Sequence, residues 1–167
     1  MAYGVMPYLL SEEKLKEIYG SKNKELIKTL IDNNSESLEE LEDLFDEDPA
    51  VYIKDFVNGK IKHETGGLYV YVLEMIFSNY GEMLNNDEWY PTDYWETLDD
   101  LTYNQSNFNF PDIDDFPLFK ILKPDSMENV IKKISKSKKI PESAREQVID
   151  WLKQGIDTNS LLGLFYY

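Results

Sequence analysis

The chain has 167 residues, of which 42% are hydrophobic and 29% are charged, and its formal net charge is −15. The apolar fraction is large enough for a hydrophobic core, which excludes an intrinsically disordered chain. The absence of cysteine excludes disulfide bonds, thiolate zinc sites and a cysteine nucleophile.

A strand and four helices are predicted for the first third of the chain. The strand covers residues 2–10, which are mostly apolar and are followed by a serine. Each helix begins at a residue favoured at helix N-termini and then repeats apolar residues at a spacing of three or four. The starting residues are Ser11, Ser21, Ser37 (which forms a capping-box pattern with Glu40) and Pro49.

The strongest helical signal lies between Tyr69 and Tyr80. Apolar residues recur there at positions i, i+3, i+4, i+7 and i+8, and the opposite face carries Val70, Tyr71 and Met75. A helix that is apolar on nearly all sides is typically a buried one. The sequence therefore predicts that this helix lies at the centre of the fold.

The second half of the chain predicts three further helices and two strands. The helices begin at Thr92 or Asp93, at Pro124 and at Pro141, and the last of them is predicted to stop at Gly155. A short strand is predicted within residues 116–122, and another over residues 161–167. The whole pattern predicts a predominantly α-helical α+β fold of seven or eight helices, with a small sheet that pairs the N- and C-terminal segments. Because no internal repeat or composition break interrupts it, we predict one globular domain over residues 1–167.

Glu74 is the most informative single residue. It interrupts the most apolar helix of the chain, between Leu73 and Met75. A buried carboxylate is costly unless it is hydrogen-bonded or paired, and burial raises its pKa, as a general acid requires. We therefore single out Glu74 as a candidate buried acid, with a structural hydrogen bond or ion pair as the alternative.

The stretch from Asp87 to Glu96 combines aromatic and acidic side chains. Tryptophan and tyrosine are enriched at the centres of protein interfaces, and carboxylates around them would suit a basic partner. The same aromatic residues could equally pack in the core under a long loop. The candidate interaction surface consists of Asp87, Glu88, Trp89, Tyr90, Asp93, Tyr94 and Trp95.

No motif in the chain carries a recognisable catalytic, cofactor or metal site. His63-Glu64 begins like a zinc-binding HExxH helix, but Gly66 and Gly67 follow and the second histidine is missing. Residues 112–115 resemble the start of a calcium loop without its glycine or its distal glutamate. We therefore predict no catalytic residue, no cofactor and no bound metal.

The charge of the chain bears on its partners. A net charge of −15 with a single arginine, Arg145, disfavours binding to nucleic acid or to an anionic membrane. The same field would attract a basic protein. The lysine-rich segment 120–139 is the basic region of the chain and could meet the acidic face of a second copy, which leaves a homodimer open. No apolar run is long enough to span a bilayer, and we expect a cytoplasmic protein.

Several short motifs are spread over nearly the whole chain. They are Tyr3-Gly4, the segment 67–74 with Tyr71, Leu73 and Glu74, Gly81-Glu82, Trp89, Phe116-Pro117 and the closing segment 161–167. Together these motifs resemble a family of small uncharacterised bacterial proteins. The resemblance implies a bacterial, cytoplasmic protein and supplies no catalytic residue.

Two function hypotheses follow. The first is a non-enzymatic, acidic binding protein that holds a basic partner. Bacterial immunity proteins, which neutralise toxins, are similar in size and charge, so we include an immunity-type role in this hypothesis. The alternative is a small carboxylate-dependent enzyme, a hydrolase, with Glu74 in its site. The absence of a catalytic motif favours the binding protein over the enzyme.

Overall fold

The computed structural model describes residues 4–90, 94–113 and 116–167, and it confirms the predicted α+β class. Within these residues the chain forms eight helices and four strands. The strands are β1 (Val5–Leu10), β2 (Glu82–Met83), β3 (Leu118–Leu122) and β4 (Leu161–Tyr166). The helices are α1 (Glu12–Ile18), α2 (Lys24–Asn33), α3 (Ser35–Phe45), α4 (Ala50–Asn58), α5 (Gly66–Tyr80), α6 (Trp95–Leu101), α7 (Pro124–Ile134) and α8 (Glu142–Asp157).

The four strands form one antiparallel sheet in the order β2-β1-β4-β3. The two ends of the chain meet at its centre, because β1 and β4 pair along their whole length from Val5↔Tyr166 to Leu10↔Leu161. This pairing confirms the predicted sheet of N- and C-terminal segments. The outer edge of β3 is covered, since Ile121 receives a hydrogen bond from the Gln105 N–H and donates one to the Asn104 side chain.

Both faces of the sheet are buried, which gives the fold three layers. Alternate strand residues such as Tyr8 and Phe165 face the first hydrophobic cluster, to which α1–α5 contribute. Their neighbours Leu9 and Leu164 face a second cluster formed with α6–α8. This double burial explains why the strands are apolar along nearly their whole length instead of alternating with polar residues. Helix α5 is buried on almost all sides, as predicted.

Three helix ends differ from the sequence prediction. Helix α2 begins at Lys24 because the Asn23 side chain, and not that of Ser21, caps its N-terminus. Ser37 is an interior residue of α3, which starts two residues earlier. Helix α8 continues past Gly155 to Asp157, because this glycine makes room for the Met127 side chain instead of ending the helix. The predicted caps of α6, Thr92 and Asp93, lie outside the described residues.

A glycine in β4 allows α5 to lie close to the sheet. A Cβ atom on Gly163 would stand 2.7 Å from the Phe77 ring, nearer than side chains normally approach. We expect Gly163→Ala to destabilise the fold by about 1–3 kcal/mol, because either the ring or the strand must move. Urea denaturation checks this value. The double variant with Phe77→Leu should cost less than the sum of the two single variants, whereas simple additivity would contradict a steric cause.

Candidate functional site

The carboxylate of Glu74 lies in the middle of α5, on the side that faces β1. The Tyr8 hydroxyl donates a hydrogen bond of 3.1 Å to Glu74 Oε1. Among the described residues no lysine, arginine or histidine forms an ion pair with Glu74. The structure thus places Glu74 beside a tyrosine instead of a cation.

Burial changes the acidity of this pair of side chains. Desolvation raises the pKa of Glu74 from 4.5 to about 7, although the hydrogen bond from Tyr8 opposes part of that shift. Burial and the adjacent carboxylate together raise the pKa of Tyr8, so this hydroxyl remains a donor at neutral pH. Burial also raises the pKa of Tyr71, one turn before Glu74, and the charge of Glu74 adds to that effect. Glu74 therefore titrates near neutral pH, between two protonated phenols.

Glu74 opens onto a cleft between α3, α5 and the start of β1. The cleft has a volume of about 570 Å³, within the range of small-ligand sites. Two large apolar side chains at its rim are solvent-exposed, Leu44 by 68% and Tyr90 by 50%. Among residues 4–90, 94–113 and 116–167, the cleft lining contains carboxylates, amides, hydroxyls and aromatic rings but no basic residue. Its members are Met6, Tyr8, Asn34, Ser37, Glu40, Leu41, Leu44, Tyr71, Glu74, Met75, Ser78, Tyr90 and Tyr167.

Tyrosine rings form much of this lining. The rings of Tyr71 and Tyr167 lie with their centroids 5.6 Å apart and their planes inclined at 43°. Tyr8 and Tyr90 contribute two more rings to the same cleft. Aromatic faces next to a carboxylate form a surface that attracts cations and repels anions.

A second polar cluster, which the sequence analysis did not single out, surrounds Asp55. The Tyr69 hydroxyl donates to Asp55 Oδ2 at 2.6 Å, and the Nδ1 atom of His63 lies 2.7 Å from the same oxygen. Burial alone would raise the pKa of Asp55, but hydrogen bonds from Tyr69, His63 and the Lys62 N–H outweigh it and leave the pKa below its usual value. Asp55 thereby holds the loop that leads into α5.

Glu47 connects the start of the same helix to α4. It accepts hydrogen bonds from the Tyr52 hydroxyl and the Thr65 hydroxyl, and Thr65 is the residue that precedes α5. The polar side chains around Asp55 and Glu47 hydrogen-bond to one another and to the residues just before α5. None of these side chains lines the Glu74 cleft. The only histidine of the chain, His63, is therefore placed in a structural role.

The predicted interaction surface divides into buried and exposed residues. Trp89 is fully buried and donates from its indole nitrogen to the Ala144 carbonyl at 2.9 Å, while Trp95 stacks on Tyr166 with centroids 4.9 Å apart. Both tryptophans thus belong to the second hydrophobic cluster. Asp87, Glu88 and Tyr90 are exposed, Tyr94 is half-buried, and Asp93 lies outside the described residues. A partner at this stretch could touch the exposed three but not the tryptophan rings.

The acidic and basic segments lie on opposite faces of the sheet. Helix α3 and the residues after it carry eight carboxylates and no basic residue between Ser35 and Asp48. The exposed lysines 132, 133, 136, 138 and 139 belong to α7 and the turn behind it. Lys120 is excluded from this surface, since it is buried and donates to the carbonyls of Asp99 and Thr102, both at 2.8 Å. A homodimer in which the acidic face of one copy meets these lysines of another stays a prediction.

The described residues also bear on metal binding and on membrane insertion. Across residues 4–90, 94–113 and 116–167, no group of three or more histidine, aspartate or glutamate side chains has the arrangement of a metal site. Asp114 and Asp115 of the calcium-like segment lie outside those ranges. In the same part of the chain, no helix has both the length and the apolar character needed to cross a bilayer.

The fold and the site define a three-layer α+β protein with an acidic, tyrosine-lined cleft beside its central helix. Comparison with protein families gives one match, which covers residues 1–167. The chain belongs to the family described as domain of unknown function DUF7691, which confirms the resemblance drawn from its motifs. No curated protein and no solved structure matches the chain.

Proposed function

We propose that the protein is a non-enzymatic binding protein that holds a basic protein partner on the face formed by α3 and the Glu74 cleft. The observation that carries the proposal is the composition of this face. It joins the exposed carboxylates of α3 to a cleft whose lining, among the described residues, has no basic side chain. Such a surface attracts a cationic protein and speeds its approach.

The rim of the cleft supplies the apolar part of the proposed contact. Leu44 and Tyr90 are two of the five large hydrophobic side chains that are strongly exposed among the described residues. Both of them line the cleft. Apolar and aromatic anchors surrounded by polar residues are typical of protein interfaces, where they carry most of the binding energy.

An immunity-type role in the bacterial cytoplasm is the specific form of this proposal. A protein that neutralises a basic toxin needs strong negative charge and a preformed anchoring site, and this chain has a net charge of −15. A neighbouring reading frame that encodes a large secreted toxin would favour this form over other basic partners.

The proposal predicts that charge on α3 contributes more to binding than the same charge elsewhere. Replacing Glu36, Glu39, Glu42 and Asp43 with their amides should weaken the binding of a fluorescein-labelled decapeptide of alternating lysine and arginine by at least about fivefold. Fluorescence anisotropy at low and physiological salt measures this. The matched control carries the amides at four exposed carboxylates of α8, Glu142, Glu146, Asp150 and Asp157.

The α8 variant distinguishes a loss of binding caused by the α3 face from a loss caused by net charge alone. Both variants have the same formal charge, so the α8 variant should bind within about twofold of the wild type if the partner sits on α3. Equal weakening in the two variants, or no measurable binding by the wild-type protein, would overturn the proposal.

A carboxylate-dependent hydrolase remains the second candidate, because burial raises the pKa of Glu74 to about 7 and the residue lines a cleft. Such an enzyme would need a second carboxylate, and Glu40 is the other one in the lining. Turnover of nitrophenyl glycosides or esters that disappears in both Glu74→Gln and Glu40→Gln would favour the enzyme.

A further inference from the structure

The Glu74 end of the cleft has one carboxylate oxygen that no protein group occupies. Glu74 Oε1 accepts the hydrogen bond from Tyr8, whereas Oε2 has no hydrogen-bond partner among the described residues. In the same part of the chain, no fully buried side-chain oxygen or nitrogen lacks a partner. Glu74 Oε2 is therefore open to the cleft, where a ligand can reach it.

The groups around this oxygen favour a small cation. Tyr8 on β1 and Tyr71 on α5 present neutral phenols, and the Tyr71 and Tyr167 rings meet at an inclined angle. Glu40 on α3 is the other carboxylate among the described residues of the lining. A cation next to Glu74 would thus contact a carboxylate, phenol oxygens and ring faces, which are the groups that stabilise positive charge.

We infer that this end of the cleft binds the ammonium group of one lysine side chain, presented by the basic partner. The inference rests on the proposed function and specifies its anchoring contact. The lysine carbon chain would lie along the tyrosine rings and Met75, and its ammonium group would donate to Glu74 Oε2. The ring faces would hold the remaining positive charge at cation–π distance.

The hydrogen bond from Tyr8 favours lysine over arginine at this carboxylate. A guanidinium group binds a carboxylate best through two parallel hydrogen bonds, which require both carboxylate oxygens. One of these oxygens, Oε1, already accepts from Tyr8, so a bidentate guanidinium would have to share it with the phenol. An ammonium group is a compact charge with three donors in a tetrahedral arrangement, so Oε2 and neighbouring phenol oxygens satisfy it. Sharing Oε1 weakens one of the two hydrogen bonds that arginine would make, whereas lysine needs Oε2 alone.

Proton release would accompany the binding of the lysine. The raised pKa of Glu74, about 7, falls when a cation lies beside the carboxylate. Since this pKa lies near 7, part of the Glu74 population is protonated at neutral pH, and we expect a fraction of a proton to be released for each lysine bound. Tyr8 and Tyr71 stay protonated in this range, because burial and the Glu74 charge raise their pKa values.

The experiment compares hexalysine with hexaarginine, two peptides of equal charge, by isothermal titration calorimetry. The wild-type protein should bind hexalysine about fivefold more tightly than hexaarginine. Glu74→Gln should reduce this ratio to about one, because the amide carries no charge for the ammonium group. The matched control is Glu146→Gln, an exposed α8 position outside both the cleft lining and the α3 face, which should keep the preference. Titrations in buffers of different ionisation enthalpy measure the released protons.

Each outcome bears on one of the two proposals. A lysine preference that is lost in Glu74→Gln and kept in Glu146→Gln supports the inference. Equal binding of the two peptides by the wild type, or a preference that survives Glu74→Gln, overturns it and leaves the basic-partner proposal standing. Failure of both peptides to bind overturns the proposed function and the inference with it.

Discussion

Replacing Glu74 with glutamine is expected to stabilise the folded protein above pH 7 and to change its stability little below pH 4.5. Burial raises the pKa of Glu74 from 4.5 to about 7 in the folded state. Between these two pH values the folded protein binds a proton that the unfolded chain has released, so the stability of the wild type falls as pH rises. Above pH 7 Glu74 is ionised in both the folded and the unfolded protein, so the stability of the wild type stops falling.

The expected size of the effect follows from the shift of the Glu74 pKa. Each pKa unit corresponds to about 1.4 kcal/mol, so glutamine should gain at most roughly 3 kcal/mol at pH 8. Solvent in the cleft screens the Glu74 charge and makes the gain in the free energy of unfolding smaller than this limit. Glutamine has nearly the shape of glutamate, and its side-chain oxygen can still accept the Tyr8 hydrogen bond. The variant should therefore fold normally.

Urea denaturation of wild type and Glu74→Gln at pH 4.5 and pH 8 measures this difference. Glu39→Gln, at an exposed position on α3, serves as the control and should stay within about 0.5 kcal/mol of the wild type at both pH values. A Glu74→Gln effect that is the same at pH 4.5 and pH 8 would show that the carboxylate is not buried in its ionised form. The predicted pH dependence would then be wrong.

Trp89→Ala is expected to destabilise the fold by about 3–5 kcal/mol, the usual range for removing a buried tryptophan. Trp89 is fully buried, its ring lies 5.9 Å from that of Trp151, and its indole nitrogen donates to the Ala144 carbonyl. Alanine would leave a large cavity between β1 and α8 and would also remove the indole hydrogen bond to that carbonyl.

Two companion variants test whether Trp89 packs in the core or contacts a binding partner. Trp89→Phe keeps an aromatic ring and should cost about half as much, because it loses the hydrogen bond and part of the volume. Asp87→Ala changes an exposed neighbour and should stay within about 0.5 kcal/mol of the wild type. Thermal or urea unfolding measures all three. Normal stability of Trp89→Ala together with lost peptide binding would instead make Trp89 a partner contact.

The sequence predicted the main features of the fold because its strongest patterns correspond to the most buried elements. Helix α5 is apolar on nearly all sides and is buried on nearly all sides. Likewise, β1 and β4 are short apolar runs at the two ends of the chain, and they pair. Helix ends were less predictable, since Ser37 and Gly155 resemble end signals and yet tertiary packing places both inside helices.

The candidate site was only partly predictable. An acid within an apolar helix is visible in the sequence, so Glu74 could be singled out from its neighbours alone. Its partner Tyr8 lies 66 residues away, and no local pattern joins the two. The cleft and the Asp55–His63–Tyr69 cluster depend in the same way on tertiary contacts. Aromatic composition could not distinguish the buried Trp89 from the exposed Tyr90 beside it.

The position of β4 at the centre of the sheet has a consequence during protein synthesis. Strand β1 leaves the ribosome early, but its full-length partner is Leu161–Tyr166, and β3 depends on the same strand. Until that strand emerges, the helices of the first layer have no complete sheet to cover, and their apolar sides stay open to chaperones or to neighbouring nascent chains. The two helical layers should therefore assemble late and nearly together, once β4 is available to pair.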